Sequence, residues 1–337
     1  MDLLFKINGT ETAESQIKDS NFKDHFPAIN RTMSWASLKP FIRRATRNYI
    51  IPYLGDDFYD ALVTYYTSGS GDDLMDEILE ITQDALAHYT IYDAMPAINI
   101  VLSDMGAQEN SSENASSQPA SQWRYKSARW NAIQQADRSM DELLDVLYDN
   151  KDEADLSDWI GTPANDFFPD PETLKSYLSH DISWRLFIAM IPYMKKALDK
   201  WISPVVTSQQ LEDLITKIQA GSTSARENQL TEKIRYALAE RSLQLAIPHL
   251  RLVIDSGSIN FMSSTDGMTM LQTANQQAID DLKHQVRSDA DAYEGDLKNF
   301  LYTYHEDFEY YRDNGHIDGY RPNVISSPDE IGGFIIH

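Results

Sequence analysis

The chain contains no cysteine, which excludes disulfides, thiolate zinc sites, iron–sulfur clusters and cysteine nucleophiles together. Basic residues are scarce: 29 Lys and Arg stand against 52 Asp and Glu in 337 residues, a net charge of −23. A surface of that sign cannot coat DNA or RNA, because phosphate binding works through Lys and Arg releasing counterions. No stretch approaches the roughly 18 uninterrupted apolar residues of a membrane-spanning helix. The longest candidates, 182–194 and 246–254, are broken by Trp184-Arg185 and by His249 and Arg251. The opening MDLLFKINGT has an acid at position 2 and only a short apolar run, unlike a secretory signal. Sequons at Asn8, Asn30, Asn110 and Asn114 therefore read as chance in a Ser/Thr/Asn-rich chain. What is present is core material: 42% of residues are hydrophobic, too many for a disordered chain, and the length suits about two domains.

An internal repeat organises that material. Shifting the chain by 152 positions lays Pro40-Phe41-Ile42-Arg43-Arg44-Ala45, Tyr49-Ile50 and Pro52 onto Pro192-Tyr193-Met194-Lys195-Lys196-Ala197, Trp201-Ile202 and Pro204. The match runs on through Gly69-Ser70 on Gly221-Ser222, Ala85-Leu86-Ala87 on Ala237-Leu238-Ala239, and Pro96 on Pro248. Over 40–101 there are 15 identities in 62 positions, where unrelated sequences would give roughly 4. Shared helical periodicity explains apolar matches but not three prolines and a glycine. A weaker echo follows at a shift of 154, with Ala136-Asp137, Leu143, Leu147 and Tyr148 on Ala290-Asp291, Leu297, Leu301 and Tyr302. The chain reads as a tandem duplication.

Each copy reads as a small set of helices, so the expected fold class is all-α. In 38–51, Phe41, Ile42, Ala45 and Tyr49 share one helical face, and Pro52 is expected to stop the helix. Asp56 or Asp57 is expected to cap the helix that follows, which Gly69 ends; Thr207 with Gln210 and then Gly221 do the same in the second copy. Longer helices over 73–104 and 227–254 each carry a proline two-thirds along, which predicts a kink in both. Amphipathic segments 130–148 and 276–304 complete the units, and strand-like alternation is confined chiefly to 3–7 and 334–336. The expected division is an N-terminal arm 1–20, a first repeat 21–160 with a mobile loop 106–122, a linker 161–171, a second repeat 172–313 and a tail 314–337.

Candidate chemistry is sparse. The eight histidines are scattered, and none forms the helical pair with glutamate that a zinc protease requires. The run His305-Glu306-Asp307-Phe308-Glu309 lacks a second histidine and reads as a solvated helix face. Asp56-Asp57, Asp72-Asp73 and Asp76-Glu77 suit helix starts as well as acid/base work. Gly69-Ser70-Gly71 lacks the lysine of a phosphate-cradling loop, and no serine sits in a nucleophile elbow. No catalytic residue, metal ligand or cofactor is assigned, and the chain is not expected to be an enzyme.

Two features stand out as candidate protein-interaction surfaces. Arg43, Arg44 and Arg47, with Lys195, Lys196 and Lys200 in the second copy, form basic islands in an acidic chain; they either pair with nearby acids or meet an acidic face of a neighbour. Leu3, Leu4, Phe5 and Ile7 at one end, and Phe334, Ile335 and Ile336 at the other, are apolar clusters that either tuck onto their own domain or add a strand to another chain.

The run Pro40-Phe41-Ile42-Arg43-Arg44-Ala45, then Tyr49-Ile50-Ile51-Pro52-Tyr53-Leu54-Gly55 before an acidic helix start, resembles an uncharacterised helical family of phages and prophages of Bacteroidales gut bacteria. The resemblance covers about 32–106 and repeats at 184–258. The organisation is also similar to the all-helical head-to-tail adaptor, or connector, proteins of tailed phages, which form a ring beneath the portal. Adaptors are usually a single, shorter unit, so the duplication departs from their pattern. The resemblance implies a virion structural protein, assembled in the bacterial host cytoplasm, whose partners are further copies of itself, the portal and other neck or tail proteins. DNA would pass an acidic channel without specific binding. Two other expectations remain open at this point: an intracellular helical enzyme or regulator whose acidic clusters bind a divalent cation, and a carbohydrate-binding lipoprotein of Bacteroidales, which the lack of a signal peptide and of a lipid-accepting cysteine disfavours.

Overall fold

The computed structural model describes residues 4–8, 10–12, 14–29, 33–69, 71–98, 100–103, 106–109, 122–159, 161, 165–178, 180–250, 252–255, 258–261 and 272–313. Eight main helices carry the architecture, four per sequence repeat. The first set is α1 (Trp35–Ala45), α2 (Asp56–Ser68), α3 (Asp73–Ile98) and α4 (Gln122–Asp149); the second is α5 (Trp184–Ala197), α6 (Ser208–Gln219), α7 (Ala225–Ala246) and α8 (Gln272–Thr303). The fold is all-α and tandemly duplicated. Two short antiparallel hairpins interrupt it: β1 (Ile100–Ser103) pairs with β2 (Gly106–Glu109), and β3 (Leu252–Asp255) pairs with β4 (Ser258–Phe261). The loop expected over 106–122 therefore begins as a strand; its remainder, 110–121, lies outside the described residues.

The shift of 152 that aligns the sequence also aligns the backbone. After α1 the helix widens into a π turn, Thr46–Ile50, and after α5 it does so at Leu198–Ile202. Ile51 N–H donates to the Thr46 carbonyl and Ser203 N–H to the Leu198 carbonyl, both one residue before a proline. A proline ring lacks the N–H and collides with the carbonyl four residues back, and a wider turn relieves that collision. Pro52 thus does not stop the helix: it sits in the first turn of Ile51–Leu54, which Gly55 ends. Gly55 (φ 79°) and its counterpart Thr207 (φ 75°) share an unusual left-handed φ, as do Gly69 (66°) and Gly221 (62°). Gly55, and not Asp56 or Asp57, occupies the cap position of α2. Thr207 tolerates that φ while its hydroxyl accepts from Gln210 N–H at 3.2 Å, a cap that glycine cannot make.

The long-helix prolines also differ from expectation. Pro96 lies in the final turn of α3 and Pro248 beyond the end of α7. Both mark where the helix gives way to a hairpin rather than a mid-helix kink, because the residues around a proline favour extended backbone.

Contacts divide the chain into two units that do not coincide with the simple succession of repeats. Unit 1 comprises 1–163, 182–188 and 251–278; unit 2 comprises 164–181, 189–250 and 279–337. Residues that belong by sequence to the second copy, including the first turn of α5 and the β3–β4 hairpin, thus belong by contact to unit 1. In unit 1, α3 packs most extensively on α4 and then on α1. It buries Ile78, Ala85, Leu86, Tyr89 and Tyr92 on several faces, as a central helix must. Unit 2 has its own core, including Phe167, Phe168, Leu214, Leu230, Ile234, Leu238, Leu297 and Phe308.

The N-terminal segment is not a free arm. Leu4, Phe5, Ile7 and Ile17 are buried in the core of unit 1, Phe5 packs edge-on against Phe22, and Gln83 Nε2 donates to the Leu4 carbonyl. Burying four such side chains is worth more to the unit than an exposed apolar strand could be in water. Of the apolar ends, Leu3, Phe334, Ile335 and Ile336 lie outside the described residues.

Candidate interaction site

Helix α4 places Asp137, Asp141, Asp145 and Asp149 four residues apart on one stripe. Like charges at that spacing repel, so the stripe calls for a cation. Arg185, in the first turn of α5, supplies it: Nη1 donates to Asp137 Oδ1 at 2.6 Å, while Nε and the backbone N–H donate to Asp141 Oδ1 at 3.1 and 3.2 Å. The Arg185 and Asp137 side chains are only 2% and 3% exposed. Burial alone would favour the neutral guanidinium, but Tyr89, Asp141 and Asp137 together more than offset it and raise the Arg185 pKa above its ordinary value. The next rung is held by Trp184, whose side chain hydrogen-bonds Asp145 and whose ring stacks on Tyr148 at 3.5 Å between centroids. Burial, with Asp141 and Asp149 adding repulsion, pushes the Asp145 carboxyl up to about 6.

The cluster extends to the surface. Tyr89 donates to Asp137 Oδ1 at 2.7 Å and stacks on Tyr49 at 4.3 Å; Tyr49 donates to Asp93 at 3.4 Å. Arg44 donates through Nε to the Asp93 carboxylate and through Nη2 to its carbonyl, each at 2.8 Å. One of the sequence-predicted basic residues is thereby tied to a carboxylate of its own unit.

Unit 2 rebuilds the same arrangement from different residues. Trp201, Arg241 and Asp291 stand where unit 1 has Tyr49, Tyr89 and Asp137. Arg241 lies 5.5 Å from the Trp201 ring and donates to Asp291 and Glu294, both at 2.8 Å. Its two carboxylate partners differ in depth: the Asp291 side chain is 61% exposed and that of Glu294 18% exposed, while that of Arg241 is 8% exposed.

The other basic positions are not drawn into these clusters. Arg43 and Arg47 are exposed, as are Lys195, Lys196 and Lys200. Arg43 acts electrostatically on Glu11, whose carboxyl the Lys39 ammonium holds below its ordinary pKa. Lys195, Lys196 and Lys200 make no ion pair among the described residues. The structural counterpart of Arg47 is Asp199, with Lys200 one residue further on, so the two islands differ in shape as well as in chemistry.

Each of the acidic runs 72–73, 76–77 and 305–309 spends at least one acid within the chain. Asp72 caps Met75 N–H at 2.8 Å, Asp76 accepts from Tyr65 at 2.7 Å, and Asp307 pairs with Arg226 at 3.0 Å. Among the described residues no group of three or more His, Asp or Glu could hold a metal ion, and no helix is long and apolar enough to cross a membrane.

These features define an all-α protein made of a duplicated four-helix unit, each copy centred on a carboxylate clasped by an arginine. The chain belongs to the family of unknown function DUF6712, whose pattern matches it twice, over residues 50–168 and 199–321. No curated protein and no solved structure matches it.

Proposed function

We propose that this chain is a non-enzymatic structural protein of a phage virion, a head-to-tail connector that self-associates into a ring and docks on the portal or neighbouring neck proteins. The observation that carries the reading is the Lys195, Lys196 and Lys200 island, exposed and without an ion pair among the described residues of a chain whose net charge is −23. Lysines that find no acid at home amid such an excess of acids are available to an acidic neighbour, and opposed charges across an interface set its partner and register. Two fused copies of one helical unit also suit a ring, since repeated related surfaces are what closed assemblies use. The sign of the charge suits a channel that DNA crosses without sticking. Electron microscopy of the purified chain, alone and mixed with the product of the neighbouring gene, tests the reading. Rings are expected; a chain that stays monomeric with its portal partner sinks it.

A further inference from the structure

A second feature of unit 2 has no base of its own. Glu240 on α7 is only 5% exposed and makes no hydrogen bond or ion pair among the described residues. Tyr236 lies one turn before it on the same helix, and Asp289 and Tyr293 on α8 act on it electrostatically, with Asp296 beyond Tyr293 on the same face. Tyr236 stacks on Tyr293 at 5.0 Å and meets Tyr177 edge-on at 4.8 Å. The arginines of α7 are occupied elsewhere: Arg235 Nε donates to the Phe167 carbonyl at 2.9 Å, and its guanidinium sits 5.9 Å from the far tyrosine, Tyr177. Arg241, one residue on, is committed to Asp291 and Glu294.

Unit 1 shows what this place looks like when it is satisfied from within. The counterparts of Tyr177, Tyr236 and Glu240 are His25, Asp84 and His88. There His25 Nδ1 lies 2.6 Å from Asp84 Oδ1, and His88 Nδ1 lies 2.9 Å from the Asp84 carbonyl. The acid of unit 1 has its base beside it, whereas the acid of unit 2 has aromatic rings and further acids.

We infer that the Glu240 niche is a receptor for a lysine ammonium, and that its occupant is a lysine of the Lys195–Lys200 island on a second copy of the chain. Ring faces attract cations and a buried carboxylate neutralises them, the combination used wherever proteins capture ammonium groups. The acids do not gather closely enough to chelate a metal, which favours an organic cation. Burial, with Asp289 adding repulsion, pushes the Glu240 carboxyl up to about 7, so the niche gains its charge near neutral pH and an arriving ammonium would secure it. Receptor and lysines both lie on unit 2 but are chemically unlike, so the contact joins unlike surfaces of two copies and is heterologous, the kind that closes rings.

The inference rests on the self-association proposed above, and sedimentation velocity of the full chain at pH 6 and pH 8 separates the two. Association is expected to tighten as pH rises. It should weaken about tenfold or more, and lose its pH dependence, in Glu240→Gln and in the triple variant Lys195→Ala, Lys196→Ala, Lys200→Ala. The lysines are exposed, so that variant keeps its fold even if Glu240→Gln does not. Carbodiimide coupling of mixed isotopically light and heavy chains should link Glu240 to one of the three lysines between chains. An oligomer unmoved by both variants, or with Glu240 unlinked, overturns this inference and leaves the ring standing; a monomer overturns both.

Discussion

The two clasps at the centres of the repeats do the same job at different depths. In unit 1 the carboxylate is Asp137, 3% exposed, and its guanidinium arrives from the first turn of α5. In unit 2 the equivalent Asp291 is 61% exposed, and Arg241 of the adjacent helix reaches it. A buried ion pair is strongly destabilising to break, because the orphaned charge cannot be rehydrated, whereas an exposed one costs little. Duplication preserved the acid and let the source of the cation change, and with it how much each unit depends on that cation.

Four substitutions test that contrast. Arg185→Met should have the largest effect, a loss of about 3–5 kcal/mol in urea unfolding, because Asp137 is left buried without its cation; adding Asp137→Leu should recover much of it. If the single change costs under about 1 kcal/mol, the buried clasp is not what distinguishes unit 1. Glu240→Gln should act in the opposite direction and only in part of the pH range. The folded-state pKa of this acid is raised to about 7 from 4.5, so its contribution to stability is present below about pH 4.5 and is lost as pH rises through about 7. The variant should therefore match the parent at pH 4.5 and exceed it by about 3 kcal/mol at pH 8. Arg241→Met should cost about 1–2 kcal/mol, well below its unit 1 counterpart, since water can solvate Asp291 once it is released and Glu294 keeps Lys298 as its partner at 2.7 Å. The smallest effect is expected from Thr207→Gly, a gain of about 1 kcal/mol. It relieves a backbone conformation that suits glycine and gives up only the hydroxyl cap to Gln210. A loss there would mean the cap outweighs the strain.

Much of the fold was legible because prolines and glycines kept their spacing. Pro52 and Pro204 announce the same local event, although only the structure identifies it as a π turn and not a helix end. The hairpins were missed, though 252–258 reads Leu-Val-Ile-Asp-Ser-Gly-Ser, a short apolar run followed by a turn dipeptide; four-residue strands next to a long helix are easily absorbed into its pattern. The aspartate stripe of α4 stands in the sequence as an acid every fourth residue, but nothing local to it names its partner. Arg185 could not be matched to it, since it lies 48 residues from Asp137 and at the start of the other repeat. For a related reason the sequence leaves open whether Leu4, Phe5 and Ile7 tuck onto their own domain or pair with another chain. Their destination, the helix carrying Gln83, lies 79 residues from Leu4, and no local pattern encodes so distant a contact.

The interleaved division of the chain also orders its birth on the ribosome. Unit 1 draws on residues 182–188 and 251–278 as well as 1–163, so it cannot be finished until most of the second repeat has also been made. Until residue 185 has left the exit tunnel, Asp137 waits without its arginine, and the hairpin at 252–261 follows some 70 residues later, several seconds at ordinary elongation rates. Through that interval the nascent chain holds an open first unit, which closes only after the segment 251–278 has emerged.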